Sequence, residues 1–151
     1  MSRLPRHVVG LLTLCAALLV PGLAGAEQKL EFDGYELHYV VIPTEFLTAE
    51  IAGRYGVVRG KGRALVNLSL LKDSKGVAAD ALSGRVTNLL SQEQVLQFDQ
   101  VIEGDAIYYI AQLRHSDRDT LRFEVELSAP GSSPRTLSFR QKLYTDGTKV
   151  E

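Results

Sequence analysis

Residues 121–143 read LRFEVELSAPGSSPRTLSFRQKL, and this stretch decides the fold. Leu121, Phe123, Val125 and Leu127 alternate with Arg122, Glu124 and Glu126, the period of two that gives a strand one face in a core and one in water. Arg135–Leu143 repeats the pattern with Leu137, Phe139 and Leu143 against Ser138, Arg140 and Lys142. Between them, 129–134 supplies two prolines, a glycine and two serines, so the pair reads as a β-hairpin.

Working outward, the same period recurs. Ala106–Arg114 and Gln94–Glu103 read as a second hairpin turning at Glu103-Gly104-Asp105. Leu82–Ser91 and Arg63–Leu71 read as further strands, and Tyr35, Leu37, Tyr39 and Val41 alternate with Glu36, His38, Val40 and Ile42. That makes about seven strands, with a short optional one at Lys29–Phe32. Thr48–Tyr55 breaks the period and reads as a short helix near residues 48–55: Thr48 is its N-cap, Glu50 sits at its positive end, and Gly56 stops it. Phe46, Leu47 and Ile51 are the residues expected to pin it over the sheets. The expected fold is all-β, an immunoglobulin-like antiparallel β-sandwich with that one helix.

Residues 1–26 read as a cleaved secretory signal peptide. Arg3 and Arg6 precede an apolar run, Val8–Val20, that is short for a bilayer span. Pro21-Gly22 and the small residues Ala24-Gly25-Ala26 follow. Cleavage is expected after Ala26, with an uncleaved anchor as the alternative. Cys15 has Leu14 before it and apolar residues after it, unlike a lipoprotein signal. The remaining 27–151 form one domain with 15 basic against 18 acidic residues, exported to the periplasm of a Gram-negative cell. A near-neutral charge gives no support to a nucleic-acid binder. The only Cys and the only Met lie in the leader, and 27–151 keep His38 and His115 alone. Thiol–disulfide exchange and covalent haem attachment are thereby excluded, and a copper-handling ligand set is lacking.

His38 is the titratable group of most interest. It shares a strand face with Glu36, and Glu-x-His could give two metal ligands or a base with its orienting acid; an exposed polar strand face is the plainer reading. His115-Ser116-Asp117 cannot form a triad, because adjacent side chains diverge. Gly60-Lys61-Gly62 lacks the spacing and ending of a phosphate loop and reads as a turn joining Val57–Arg59 to Arg63–Leu71. With Arg59 and Arg63 it is locally basic, suited to an anionic partner or a lipid headgroup. Tyr108 and Tyr109 face opposite sides, so one at most is in the core.

Phe32-x-x-Tyr35-Glu36-x-His38-Tyr39, then Phe46-Leu47-Thr48-x-Glu50-Ile51-Ala52-x-x-Tyr55-Gly56-Val57-x-Arg59, then Leu65-Val66-Asn67-Leu68-Ser69 resembles an uncharacterised Gram-negative periplasmic family, domain of unknown function 4426. The resemblance implies a small exported all-β domain with no assigned activity or cofactor. If its signature marks a ligand site, the polar positions are Tyr35, Glu36, His38, Tyr55, Arg59 and Asn67. No catalytic residue, metal site or cofactor is expected. The expected function is a non-enzymatic module binding an envelope protein or component, helped by exposed strand edges. The alternative is a small-ligand or metal-binding protein using the His38 face; a weak hydrolase with His38 as base comes third.

Overall fold

The computed structural model describes residues 28–145, so the leader and its cleavage point lie outside the described residues. The hairpin that decides the fold is present as two strands in unbroken antiparallel register, Asp119–Ser128 and Arg135–Leu143. Its alternation lands as the sequence requires: Leu121, Phe123, Val125, Leu127, Leu137 and Leu143 are buried, while Arg122, Glu126, Ser138, Arg140 and Lys142 are exposed.

In chain order the strands are β1 (Lys29–Phe32), β2 (Tyr35–Pro43), β3 (Arg63–Lys72), β4 (Lys75–Gly76), β5 (Ala81–Thr87), β6 (Glu93–Leu96), β7 (Asp99–Glu103), β8 (Ala106–Arg114), β9 (Asp119–Ser128) and β10 (Arg135–Leu143). A 3-10 turn, Thr44–Phe46, and one helix, α1 (Ala49–Arg54), follow β2. The first sheet runs β1-β2-β3-β8-β7 with β4 on the end of β3, and the second runs β10-β9-β5-β6. With β2, β3, β8 and β7 taken as strands A, B, E and D, β10, β9 and β5 as G, F and C, and β1 and β6 as additions at the edges, these are the two sheets of an immunoglobulin-like sandwich. One apolar cluster fills the space between them. At its centre Phe123 stacks on its cross-strand neighbour Phe139 at 4.6 Å, and Tyr39 from the first sheet meets Phe139 at 4.6 Å, so the aromatic stack bridges both layers.

Three local expectations need correction. Gln94–Glu103 is not one strand: β6 belongs to the second sheet and β7 to the first. The chain crosses at Gln97-Phe98, where Gly84 makes the room, since a Cβ there would meet Phe98 Cε2 at 3.1 Å and Leu96 Cδ1 at 3.3 Å. The strand expected over Leu82–Ser91 ends at Thr87, because Asn88 folds the next residues into a turn. Its Oδ1 accepts from the backbone N–H groups of Leu90 (3.0 Å) and Gln92 (2.9 Å). Val57–Arg59, ahead of the Gly60–Gly62 turn, pairs with neither sheet as a strand, Val57 N–H donating to the Ala52 carbonyl and Val58 N–H to the Gln112 side chain. Finally, α1 is capped by Thr48 and stopped by Gly56 (φ +65°) as expected, but Phe46 does not pin it. Phe46 is 56% exposed, and Leu47, Ala52 and Val57 hold the segment against Leu65 and Ile42 on the outer face of the first sheet.

Candidate functional site

Alternation along β2 sends Tyr35, Leu37 and Val41 inward and leaves Glu36 and His38 on the outer face of the first sheet. There the Glu36 carboxylate and His38 Nε2 lie 2.9 Å apart. Lys29, opposite His38 on β1, places its Nζ 3.6 Å from Glu36 and 2.5 Å from Glu31. The hydrogen bond with His38, and then the Lys29 charge, hold the Glu36 carboxyl below the usual glutamate value. Ser69 pairs with His38 across the β2–β3 ladder, yet its hydroxyl donates to the Ile107 carbonyl at 3.1 Å. The hydroxyl across the ladder from His38 is thus turned to a backbone carbonyl rather than to the imidazole.

Asn67 lies on the same face, between Val40 and Ile110 in the ladder. Its Oδ1 is buried with no hydrogen-bond partner. Tyr55 reaches this face from the end of α1, and its hydroxyl donates to the Glu103 carboxylate on β7. Burial first, and the hydrogen bond to Glu103 second, push the Tyr55 phenol up to about 12. Gln112 ties the returning segment down, donating to the Gly56 carbonyl at 3.3 Å and accepting from Val58 N–H at 2.9 Å.

Glu36, His38, Asn67 and Tyr55 therefore share one face. The other two signature positions do not. Tyr35 is 4% exposed in the core, its hydroxyl donating to the Pro130 carbonyl at 2.6 Å. Arg59 is exposed beside the 3-10 turn, donating to the Glu45 carbonyl at 3.4 Å. Among the described residues no three His, Cys, Asp or Glu side chains gather as a metal site. His115 Nδ1 faces the Ser116 carbonyl at 2.9 Å, apart from any triad, and Tyr109 is the buried member of the tyrosine pair.

A second feature lies at the end of the sandwich where β2, β5, β8 and β10 terminate. Its loops are bound to one another. His115 N–H donates to the Gly62 carbonyl (2.9 Å), the Gln94 side chain bonds both backbone groups of Arg114 (2.7 and 3.0 Å), and Asp117 accepts from Thr145 N–H (3.0 Å). Of the seven large apolar residues that are exposed among the described residues, five project from this end: Phe46, Val58, Leu89, Leu90 and Tyr144. Leu89 and Leu90 are 77% and 79% exposed at the tip of the Asn88 turn. Interleaved with them are the exposed cations Arg59, Lys61, Arg118, Arg122 and Arg140, while Lys142 sits over the Tyr144 ring at 5.5 Å. The turns at the opposite end expose Asp33, Asp73, Asp80 and Asp105. Of the apolar tip, the sequence reading used only Phe46, and used it wrongly. The available signal was the Leu89-Leu90 pair, since two adjacent leucines in a strand cannot both face one core.

Comparison with known proteins places these features in a family. A family model described as "Domain of unknown function (DUF4426)" matches residues 29–146. A solved structure of a DUF4426 family protein from Pseudomonas aeruginosa PAO1 is 33% identical, with a TM-score of 0.70, covering 80% of this chain and 96% of that one. FetP from uropathogenic Escherichia coli strain F11 is 15% identical, with a TM-score of 0.53, covering 79% and 94%. A copper-bound FetP variant gives 14% and 0.52, covering 78% and 94%. The FetP likenesses show the shared fold. No curated protein matches the chain.

Proposed function

We propose, from the premise that this chain belongs to the DUF4426 family, that it is a non-enzymatic binding module of the periplasm which engages an envelope component through the loop end of its sandwich. The observation that carries the reading is the concentration of Phe46, Val58, Leu89, Leu90 and Tyr144 on loops that the fold holds rigid. Solvent-exposed leucines gain nothing for the folded monomer, whereas their desolvation against a partner contributes binding free energy. The leader supports export, and among the described residues no helix is long and apolar enough to cross a membrane.

A second reading has one specific observation in its favour. The buried, unpartnered Asn67 carbonyl lies on the face of Glu36 and His38 and could accept from a small ligand. Copper does not fit that face. The described residues contain no Met or Cys, Glu36 and His38 bond each other, and among the described residues no three His, Cys, Asp or Glu side chains gather as a metal site.

Site-directed photocrosslinking in the exporting cell tests the main reading. A photoreactive residue at Leu89 is expected to give a discrete adduct, and one at Asp73 on the opposite end none. Equal yields from both positions, or none from Leu89 across growth conditions, would remove the basis for the proposal.

A further inference from the structure

On the outer face of the second sheet, Arg122 on β9 and Arg140 on β10 stand directly opposite each other in the ladder. Like charges in that relation destabilise a sheet, and little here offsets them. Arg122 Nε is 3.9 Å from Glu124, a carboxylate already engaged by Arg85 at 2.7 Å. Arg140 makes no ion pair with any described residue. Arg122 and Arg140 both line a cleft of about 180 Å³, together with Thr120 and with Leu89 from the exposed tip. An exposed apolar tip thus stands beside two opposed arginines that have only a shared carboxylate between them.

We infer that this end of the molecule docks on the surface of an anionic phospholipid bilayer. A headgroup phosphate bridges Arg122 and Arg140, and Leu89 and Leu90 enter the acyl boundary. The inference rests on the binding-module reading and names its partner. Guanidinium groups take phosphate oxygens in paired hydrogen bonds, and that phosphate supplies the charge the ladder lacks. Two adjacent leucines on a projecting turn suit a soft apolar layer, which needs no complementary pocket. Tyr144 beneath Lys142, with Arg59 and Lys61, rings the tip with groups that belong at headgroup depth. A folded protein partner would instead need a surface shaped to receive scattered knobs.

The test is cosedimentation with vesicles of phosphatidylcholine alone and of equal parts phosphatidylcholine and phosphatidylglycerol. The protein is recovered from the exporting cell, so that wild type and variants share the same processed form. Wild type is expected to partition onto the phosphatidylglycerol vesicles and to leave them in high salt. Arg122→Gln with Arg140→Gln should weaken partitioning about 25-fold, at about fivefold per charge. Leu89→Ser with Leu90→Ser should weaken it by about 100-fold or more. All four positions are exposed, and thermal melts of both double variants should match or exceed wild type. Arg140→Lys keeps the charge but loses the paired donors, and should bind more weakly than wild type and more tightly than the double glutamine variant. Equal partitioning on both vesicle types, or variants that bind as wild type does, would overturn the inference. So would saturation of the arginine pair by inorganic phosphate without vesicle binding. A protein crosslinked through Leu89 in the absence of vesicle binding would overturn the lipid assignment and leave the binding module standing. Absence of both would remove both.

Discussion

Asn67→Leu should make this protein more stable, which is an unusual outcome for a substitution inside a strand. Asn67 sits between Val40 and Ile110 on the outer face of the first sheet, and its Oδ1 is buried without a partner. An unpaired buried acceptor costs about 1–3 kcal/mol in lost solvation. Leucine has the same branched outline at Cγ, carries no polar atom, and is better accommodated on a half-buried pleated surface. Removing the acceptor should therefore raise stability by about 1–2 kcal/mol, equivalent to roughly 4–8 °C in Tm for a domain of this size. Calorimetry of wild type and Asn67→Leu under identical conditions reads this directly. A fall in Tm of similar size would refute the reasoning. It would mean that Oδ1 has a partner in solution, an ordered water or a ligand, whose hydrogen bond the substitution destroys. That result would move the ligand reading of the Glu36–His38 face ahead of the loop-end reading.

Three further outcomes are expected. Tyr35→Phe removes one hydrogen bond to the Pro130 carbonyl and should cost about 1 kcal/mol, with partner capture unchanged; lost capture with intact stability would return Tyr35 to a binding role. Gly76→Ala should destabilise by at least about 2 kcal/mol, because its Cβ would stand 2.6 Å from the Asp105 carbonyl oxygen and 3.0 Å from Ile107 N; an unchanged melt would mean that Gly76 does not pass this close to the Asp105–Ile107 backbone. Acid should weaken the fold. Asp33, Glu36, Asp117 and Glu124 are all held below their usual values, chiefly by hydrogen bonds from Ser132, His38, Thr145 and Arg85 respectively. The unfolded chain then binds more protons than the folded one. The stabilisation they give is present above the ordinary carboxylate range and is lost as pH falls through the lowered values. Carboxyl NMR titration should find Glu36 returning toward the ordinary value in His38→Ala, and a Glu36 midpoint indifferent to that change would contradict the pairing.

Much of the architecture was legible because alternation reports which face of a strand is dry. Leu121 to Leu127 and Leu137 to Leu143 gave both ladder partners and their turn, and the signature in 32–70 gave the family. Alternation says nothing about which sheet a strand joins. Leu96, Phe98, Gln100 and Ile102 keep the period straight through the crossing at Gln97-Phe98, so one apparent strand became two. The site was legible in part for the same reason. Period two places Glu36 with His38 and turns Tyr35 away from them, whereas the approach of Tyr55 to Glu103, 48 residues distant, is set by how α1 lies across the sheet. The loop end was the least visible. Apart from the Leu89-Leu90 pair, its apolar residues are single positions in separate segments, brought together by the sandwich connections.

The central claim is that partners meet the loop end, and chemical-shift mapping tests it most directly. Backbone amide spectra of labelled protein would be recorded with and without envelope extract from the exporting cell. The account predicts perturbations confined to 44–47, 57–62, 88–92, 115–118 and 144–145. Shifts centred on Glu36, His38, Asn67 and Ser69, with the loop end unmoved, would contradict it.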